Sequence, residues 1–150
     1  MKPADRQRPT LLIVDDEEQI LSALRRCLRR EAYELLTETS PTAALRILET
    51  RHVDAILSDQ KMPGTSGVQF LEQAAVIRPE IPRMLITGWT EEISPERLKA
   101  AGVCAIVTKP WDDARLKATL RKALAPVLTS SPAKGDSDNP NRFSDYSLLR

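Results

Sequence analysis

Short apolar runs alternate with amphipathic stretches of helical period along this chain, five times in succession. Few folds accept that rhythm. Residues 10–14 (TLLIV) are an apolar run closed by acids. Ile20, Leu21, Leu24, Cys27 and Leu28 then recur at helical spacing, with Arg25, Arg26, Arg29 and Arg30 as the only basic cluster. Residues 33–38 read as a strand. Ser40-Pro41 is a helix start, with a capping hydroxyl and a proline at the first helical position, and Ala44, Leu45 and Leu48 continue that helix. Residues 55–58 form a third strand, Pro63-Gly64 and Gly67 mark a loop, and Val68, Leu71, Ala74 and Ala75 supply the next stripe. Residues 83–87 and 105–108 are the last two strands. Between them Ser94-Pro95 repeats the start signal and Gly102 ends the helix. Leu116, Leu120, Ala123 and Leu124 line a final helix that Pro126 closes. Consecutive βα units predict an α/β fold whose parallel sheet is covered on both faces, with right-handed crossovers.

Composition narrows the function. A chain of 150 residues is one domain with room for a core. Its 22 basic and 21 acidic residues give no electrostatic argument for binding nucleic acid directly. No apolar run approaches a membrane span, and MKPADRQRPT lacks a signal core, so we expect a cytoplasmic protein without membrane insertion. Cys27 and Cys104 lack ligand spacing and read as small buried hydrophobes. After residue 128, TSSPAKGDSDNPNR loses all apolar periodicity and reads as a tail or linker. The closing FSDYSLLR reads as a loose end, with a docking segment or the stump of a second domain as alternatives.

Where the polar groups fall turns the fold into a site. Asp15 and Asp16 end the first apolar run, Asp59 the third, Thr87 the fourth and Lys109 the fifth. Ligands of open α/β sheets bind outside the carboxyl ends of the strands. Carboxylates there suit Mg²⁺, which prefers hard oxygen ligands. One of them could then attack a phosphoryl group, with Lys109 as a compact counter-charge and Thr87 offering a hydroxyl beside small Gly88. Taken singly, each has a plainer role: Asp15 or Asp16 capping the next helix, Asp59 a loop acid, Thr87 a strand former, Lys109 a solvated strand end. Neither G-x-x-x-x-G-K-[ST] nor G-x-G-x-x-G occurs. A haloacid-type phosphatase would need an aspartate where Lys61 stands. His52 has no nucleophile partner at a strand end and reads as a surface residue.

IVDDE (13–17), LSDQKMPGTSG (57–67), LITGW (85–89) and VTKPW (107–111), in that order, resemble the receiver domain of two-component response regulators. The resemblance covers roughly residues 9–126, leaving an N-terminal extension at 1–8 and a flexible C-terminal tail or linker at 127–150. It implies a flavodoxin-like three-layer fold with strand order 2-1-3-4-5. It implies Asp59 as phosphoacceptor, served by a histidine kinase or a histidine phosphotransfer protein. Asp16 and Asp59 would bind Mg²⁺ directly, Asp15 mainly through water, and the Lys61 backbone carbonyl would complete the protein ligands. Thr87 would be the switch hydroxyl and Lys109 the phosphate contact. Such a chain is a signalling module rather than an enzyme. It would act through a downstream protein partner or effector domain, and homodimerisation through the last helix and its neighbours is compatible with it.

The chain departs from the family pattern at two positions. Ile106 stands where Tyr or Phe usually precedes the lysine, so the aromatic switch of the family has no counterpart in it. Trp111 replaces the commoner Phe, and KPW resembles receivers attached to cyclic-di-GMP phosphodiesterases or other enzymatic domains. Lys61 and Trp89 occupy positions that gate water in the family. Ile106 keeps open an alternative reading: a protein-binding module with a receiver fold that does not use phosphorylation.

Overall fold

Each apolar run is a strand of one parallel sheet, and each stripe is a helix packed on it. The computed structural model describes residues 8–88 and 93–129. In chain order the elements are β1 (Thr10–Val14), α1 (Glu18–Leu28), β2 (Glu34–Glu38), α2 (Pro41–Thr50), β3 (Ala55–Asp59) and α3 (Gly67–Ile77). They continue with β4 (Arg83–Gly88), α4 (Pro95–Ala101), β5 (Val103–Lys109), α5 (Asp113–Ala123) and the short α6 (Ala125–Thr129). The sheet order is β2-β1-β3-β4-β5, as the resemblance implied.

Burial on both faces explains the apolar runs. Every residue of β1 and β3 is buried, and alternate side chains serve opposite layers. Leu11 and Ile13 join Leu21, Leu24, Leu116 and Leu120 beneath α1 and α5. Leu12 and Val14 join Ala44, Leu48, Leu71 and Leu98 beneath α2, α3 and α4. The result is the three-layer, doubly wound flavodoxin-like architecture. Helix starts follow the sequence signals: the Ser40 hydroxyl accepts from Ala43 N–H and the Ser94 hydroxyl from Arg97 N–H, each at 3.2 Å. Gly102 caps α4 at φ 72°, where a side chain would be strained and would also collide with the Arg83 guanidinium. Buried Arg83 donates Nε to the Ala101 carbonyl (3.1 Å) and Nη1 to the Ile81 carbonyl (3.0 Å). It thereby ties the end of α4 to the start of β4.

The structure corrects five details. Gly67 is not loop but the first residue of α3, behind a reciprocal capping box between Ser66 and Gln69. Pro126 does not close α5, which ends at Ala123; it sits in the first turn of α6, where its missing N–H costs no helical bond. Strand β5 is longer than its apolar stretch, and β2 begins at Glu34. Both are edge strands, paired on one side only. Cys27 and Cys104 are not joined in a disulfide and are half-buried rather than buried. Trp89 and the segment after residue 129 lie outside the described residues. Among the described residues no helix is long and apolar enough to cross a membrane.

Fully buried Phe70 and 83% exposed Val76 lie on opposite faces of α3. Phe70→Ala is expected to cost about 3–5 kcal/mol. Val76→Ala is expected to stay within about 0.5 kcal/mol. Urea unfolding midpoints of the two variants check this assignment of faces, which fails if the costs are equal.

Candidate metal and phosphoryl site at the sheet edge

Register brings the strand ends together. Val14 pairs with Ser58, so Asp15 emerges beside Asp59; Asp59 pairs with Ile86, and Gly88 with Lys109. Asp15, Asp16 and Asp59 each offer a carboxylate oxygen within 4.8 Å of the others. Lys109 Nζ donates to Asp15 Oδ2 at 3.1 Å and to Asp59 Oδ1 at 3.0 Å. The Lys109–Pro110 peptide is cis. Asp15 is 0% exposed and Asp59 4%, whereas Asp16 is exposed.

The plainer capping role for Asp15 and Asp16 is not what the geometry shows. The N-cap of α1 is Glu17, and no side chain caps it. Asp15 Oδ1 does accept from the Glu17 N–H at 2.9 Å, which fixes the carboxylate rather than the helix. Both Asp15 oxygens are therefore already engaged. Asp59 Oδ2, by contrast, accepts no hydrogen bond among the described residues. Thr87 is buried at the same edge, and its hydroxyl donates to the Gly88 carbonyl at 3.2 Å. Lys61 is exposed and, with Met62 and Pro63, lines the opening over Asp16 and Asp59.

Electrostatics set these groups against one another. Burial pushes the Asp59 carboxyl up; the Lys109 hydrogen bond pulls it down, and the charges of Asp15 and then Asp16 raise it again. It titrates at about 6. Burial pulls the Lys109 ammonium down, but its bonds to Asp59 and Asp15 outweigh that and hold it above the ordinary lysine range. Two buried carboxylates thus share one ammonium, with the exposed carboxylate of Asp16 beside them. The donor set fits a hard divalent cation: all oxygen, clustered and short of positive charge. A cation there would relieve the repulsion that raises Asp59.

Some participants were not legible beforehand. Gln60, directly after Asp59, accepts the Val68 N–H on its side-chain oxygen at 2.9 Å. A methyl group on Gly67 would collide with the Asp59 carbonyl oxygen, so α3 approaches the acceptor at a distance only glycine allows. The S-x-x-Q pattern of Ser66 and Gln69 could have exposed that helix start. Asp112 caps α5 through Arg115 N–H (3.0 Å) and Asp113 accepts from Trp111 Nε1 (3.1 Å), so both have local roles. His52 is exposed and lies 2.7 Å from Asp54.

Comparison with known proteins identifies relatives of this sequence and fold. The profile of the response regulator receiver domain family matches residues 11–121. A hydrogenase transcriptional regulatory protein, HoxA, of Bradyrhizobium diazoefficiens is 42% identical over 116 residues, covering 77% of this chain and 24% of the relative. PhoP of Bacillus subtilis, an alkaline phosphatase synthesis transcriptional regulatory protein, is 31% identical over 143 residues, 93% of this chain and 60% of the relative. The chain therefore spans only part of these curated relatives. Among solved structures, the signal receiver domain of an HD domain-containing protein from Pseudomonas fluorescens superposes with a TM-score of 0.73 at 30% identity, covering 81% of this chain and 98% of that one. A CheY-like receiver from Methanospirillum hungatei gives 0.73 at 27%, covering 83% and 99%.

The raised Asp59 pKa carries a sign. An unfolded aspartate titrates near 3.9, so between about pH 4 and pH 6 the folded chain holds more protons than the unfolded one. Stability therefore falls as pH rises through that window and stays reduced above it. Without divalent metal, Asp59→Asn is expected to be more stable than wild type at about pH 7.5 by about 1 kcal/mol. The gain is modest because the Lys109 bond to the charge is lost as well. The difference should vanish toward about pH 4.5. Urea midpoints at the two pH values check it; a variant that is less stable at both would refute the repulsion argument.

Proposed function

The chain belongs to the response regulator receiver domain family, and from that membership we propose that it is a phosphorylation switch with Asp59 as the phosphoacceptor. The observation that carries the proposal is Lys109 bridging Asp15 and Asp59 at the carboxyl edge of the sheet. That bond holds one oxygen of Asp59 and leaves Oδ2 without a hydrogen bond among the described residues, available as the nucleophile. Oδ2 attacks phosphorus, the bond from phosphorus to the donor breaks, and the donor leaves with that electron pair. Lys109 then faces a phosphoryl oxygen instead of a carboxylate, and Thr87 turns its hydroxyl from the Gly88 carbonyl to another.

Mg²⁺ supplies charge neutralisation when bound. Asp16 and Asp59 would hold it, together with the Lys61 carbonyl. Asp15 would act through water, consistent with its two engaged oxygens. The donor is a cytoplasmic histidine kinase or histidine phosphotransfer protein. The output passes to a protein partner or an attached effector domain, with a homodimer as one possible form. Nucleic acid is not contacted by the receiver itself, which we place at residues 9–126 between an extension at 1–8 and a linker-like tail at 127–150. Receiver domains are signalling modules, and any chemistry is confined to gain and loss of the phosphoryl group.

Ile106 favours a second reading. It lies half-buried against the α2–α4 side of the core, paired with Leu85, where an aromatic switch would stand. The chain would then be a binding module that works without phosphorylation. Intact mass after incubation with acetyl phosphate and Mg²⁺ separates the two. One phosphoryl adduct in wild type and none in Asp59→Asn is the expected outcome. No adduct from either acetyl phosphate or a phosphorylated histidine donor, with partner binding intact, would favour the second reading.

A further inference from the structure

We infer that the Gln60 side chain is a positioning residue for the metal-binding loop, an inference that rests on the phosphorylation reading above. Gln60 sits between Asp59 and Lys61, two of the proposed ligands. Its backbone N–H donates to the Ile86 carbonyl at 3.2 Å, extending the β3–β4 ladder by one residue. Its backbone carbonyl accepts the Gly67 N–H and its side-chain oxygen accepts the Val68 N–H, both at 2.9 Å. Residue 60 thus closes the loop that runs from the end of β3 to the start of α3, using both main chain and side chain.

The neighbouring contacts separate this role from ordinary helix capping. The next amide, Gln69 N–H, goes to the Ser66 hydroxyl at 3.1 Å, and the Gln69 side chain accepts the Ser66 N–H at 2.9 Å. The first three amides of α3 are therefore satisfied by two separate devices. The capping box holds the outer end of the loop. Gln60 joins α3 to the end of β3, at the point where Gly67 abuts the Asp59 carbonyl. Removing the Gln60 acceptor orphans a backbone N–H and leaves the end of the loop that carries the Lys61 carbonyl held by main-chain bonds alone. Removing the Ser66 hydroxyl loosens the helix but leaves that end tied. Groups that orient metal ligands without touching the metal affect affinity strongly.

The test is Mg²⁺ titration of the metal-free chain, followed by tryptophan fluorescence, with melting temperature and Val68 amide exchange measured in parallel without metal. Gln60→Leu, which keeps bulk but loses the acceptor, is expected to weaken Mg²⁺ binding about tenfold and to speed Val68 exchange. Gln60→Asn, which keeps the amide but is one methylene short of Val68, should weaken it in the same direction. Gln60→Glu, which still accepts, should bind at least as tightly as wild type. Ser66→Ala should lower the melting temperature but leave Mg²⁺ affinity unchanged. Wild-type affinity in both Gln60→Leu and Gln60→Asn would overturn the inference alone, as would an equal loss in Ser66→Ala. Failure of wild type itself to bind Mg²⁺ would overturn the phosphorylation reading and this inference with it.

Discussion

Among the described residues Lys109 is the one cation placed between two buried carboxylates, and its hold on Asp15 and Asp59 joins the ends of β1, β3 and β5. Every other feature of the site is arranged around it. Asp15 is oriented by Lys109 on one side and by the Glu17 amide on the other. Asp59 is left with one oxygen engaged and one open. A buried bridge of this kind contributes little net stability, because desolvation offsets attraction, but removing Lys109 would leave two buried carboxylates without their counter-charge. The bridge is better understood as a fixture of geometry than as a source of folding energy.

The surrounding fold absorbs the cost of that arrangement. The central strands bury apolar side chains on both faces, and the polar groups are confined to the ends. Conflict among the carboxylates is local to the edge, so stability and function are separable there. A receiver with a comfortable metal-free site would have less to gain from a cation or from redistributing charge on phosphorylation.

Legibility in the sequence followed burial. Where a strand is covered on both faces, as in TLLIV and AILSD, the apolar run and the polar residue that ends it stand out, and the site acids were read from those ends. The edge strands were read less well. In β2 and β5 the half-exposed positions dilute the pattern, and β5 extends beyond the expected 105–108 at both ends. Gly67 was taken for a turn because glycine is ambiguous: the space beside the Asp59 carbonyl, not the backbone angle, requires it. Gln60 was invisible for a different reason. Its role depends on which amide its side chain reaches, and that is set by the loop's path rather than by residue spacing.

Strand β5 mounts Lys109 on an edge of the sheet. It is hydrogen-bonded to β4 on one side only, and its register with β4 shifts at the far end, between Arg83 and Met84. The acids it reaches stand on β1 and β3, the strands clamped on both sides. The bridge therefore acts as a guy-line from the twice-paired middle of the sheet to a margin paired on one side only. When the charge on Asp59 changes, the load moves at the anchor but the slack appears at the margin, in β5 and the helices on either side of it.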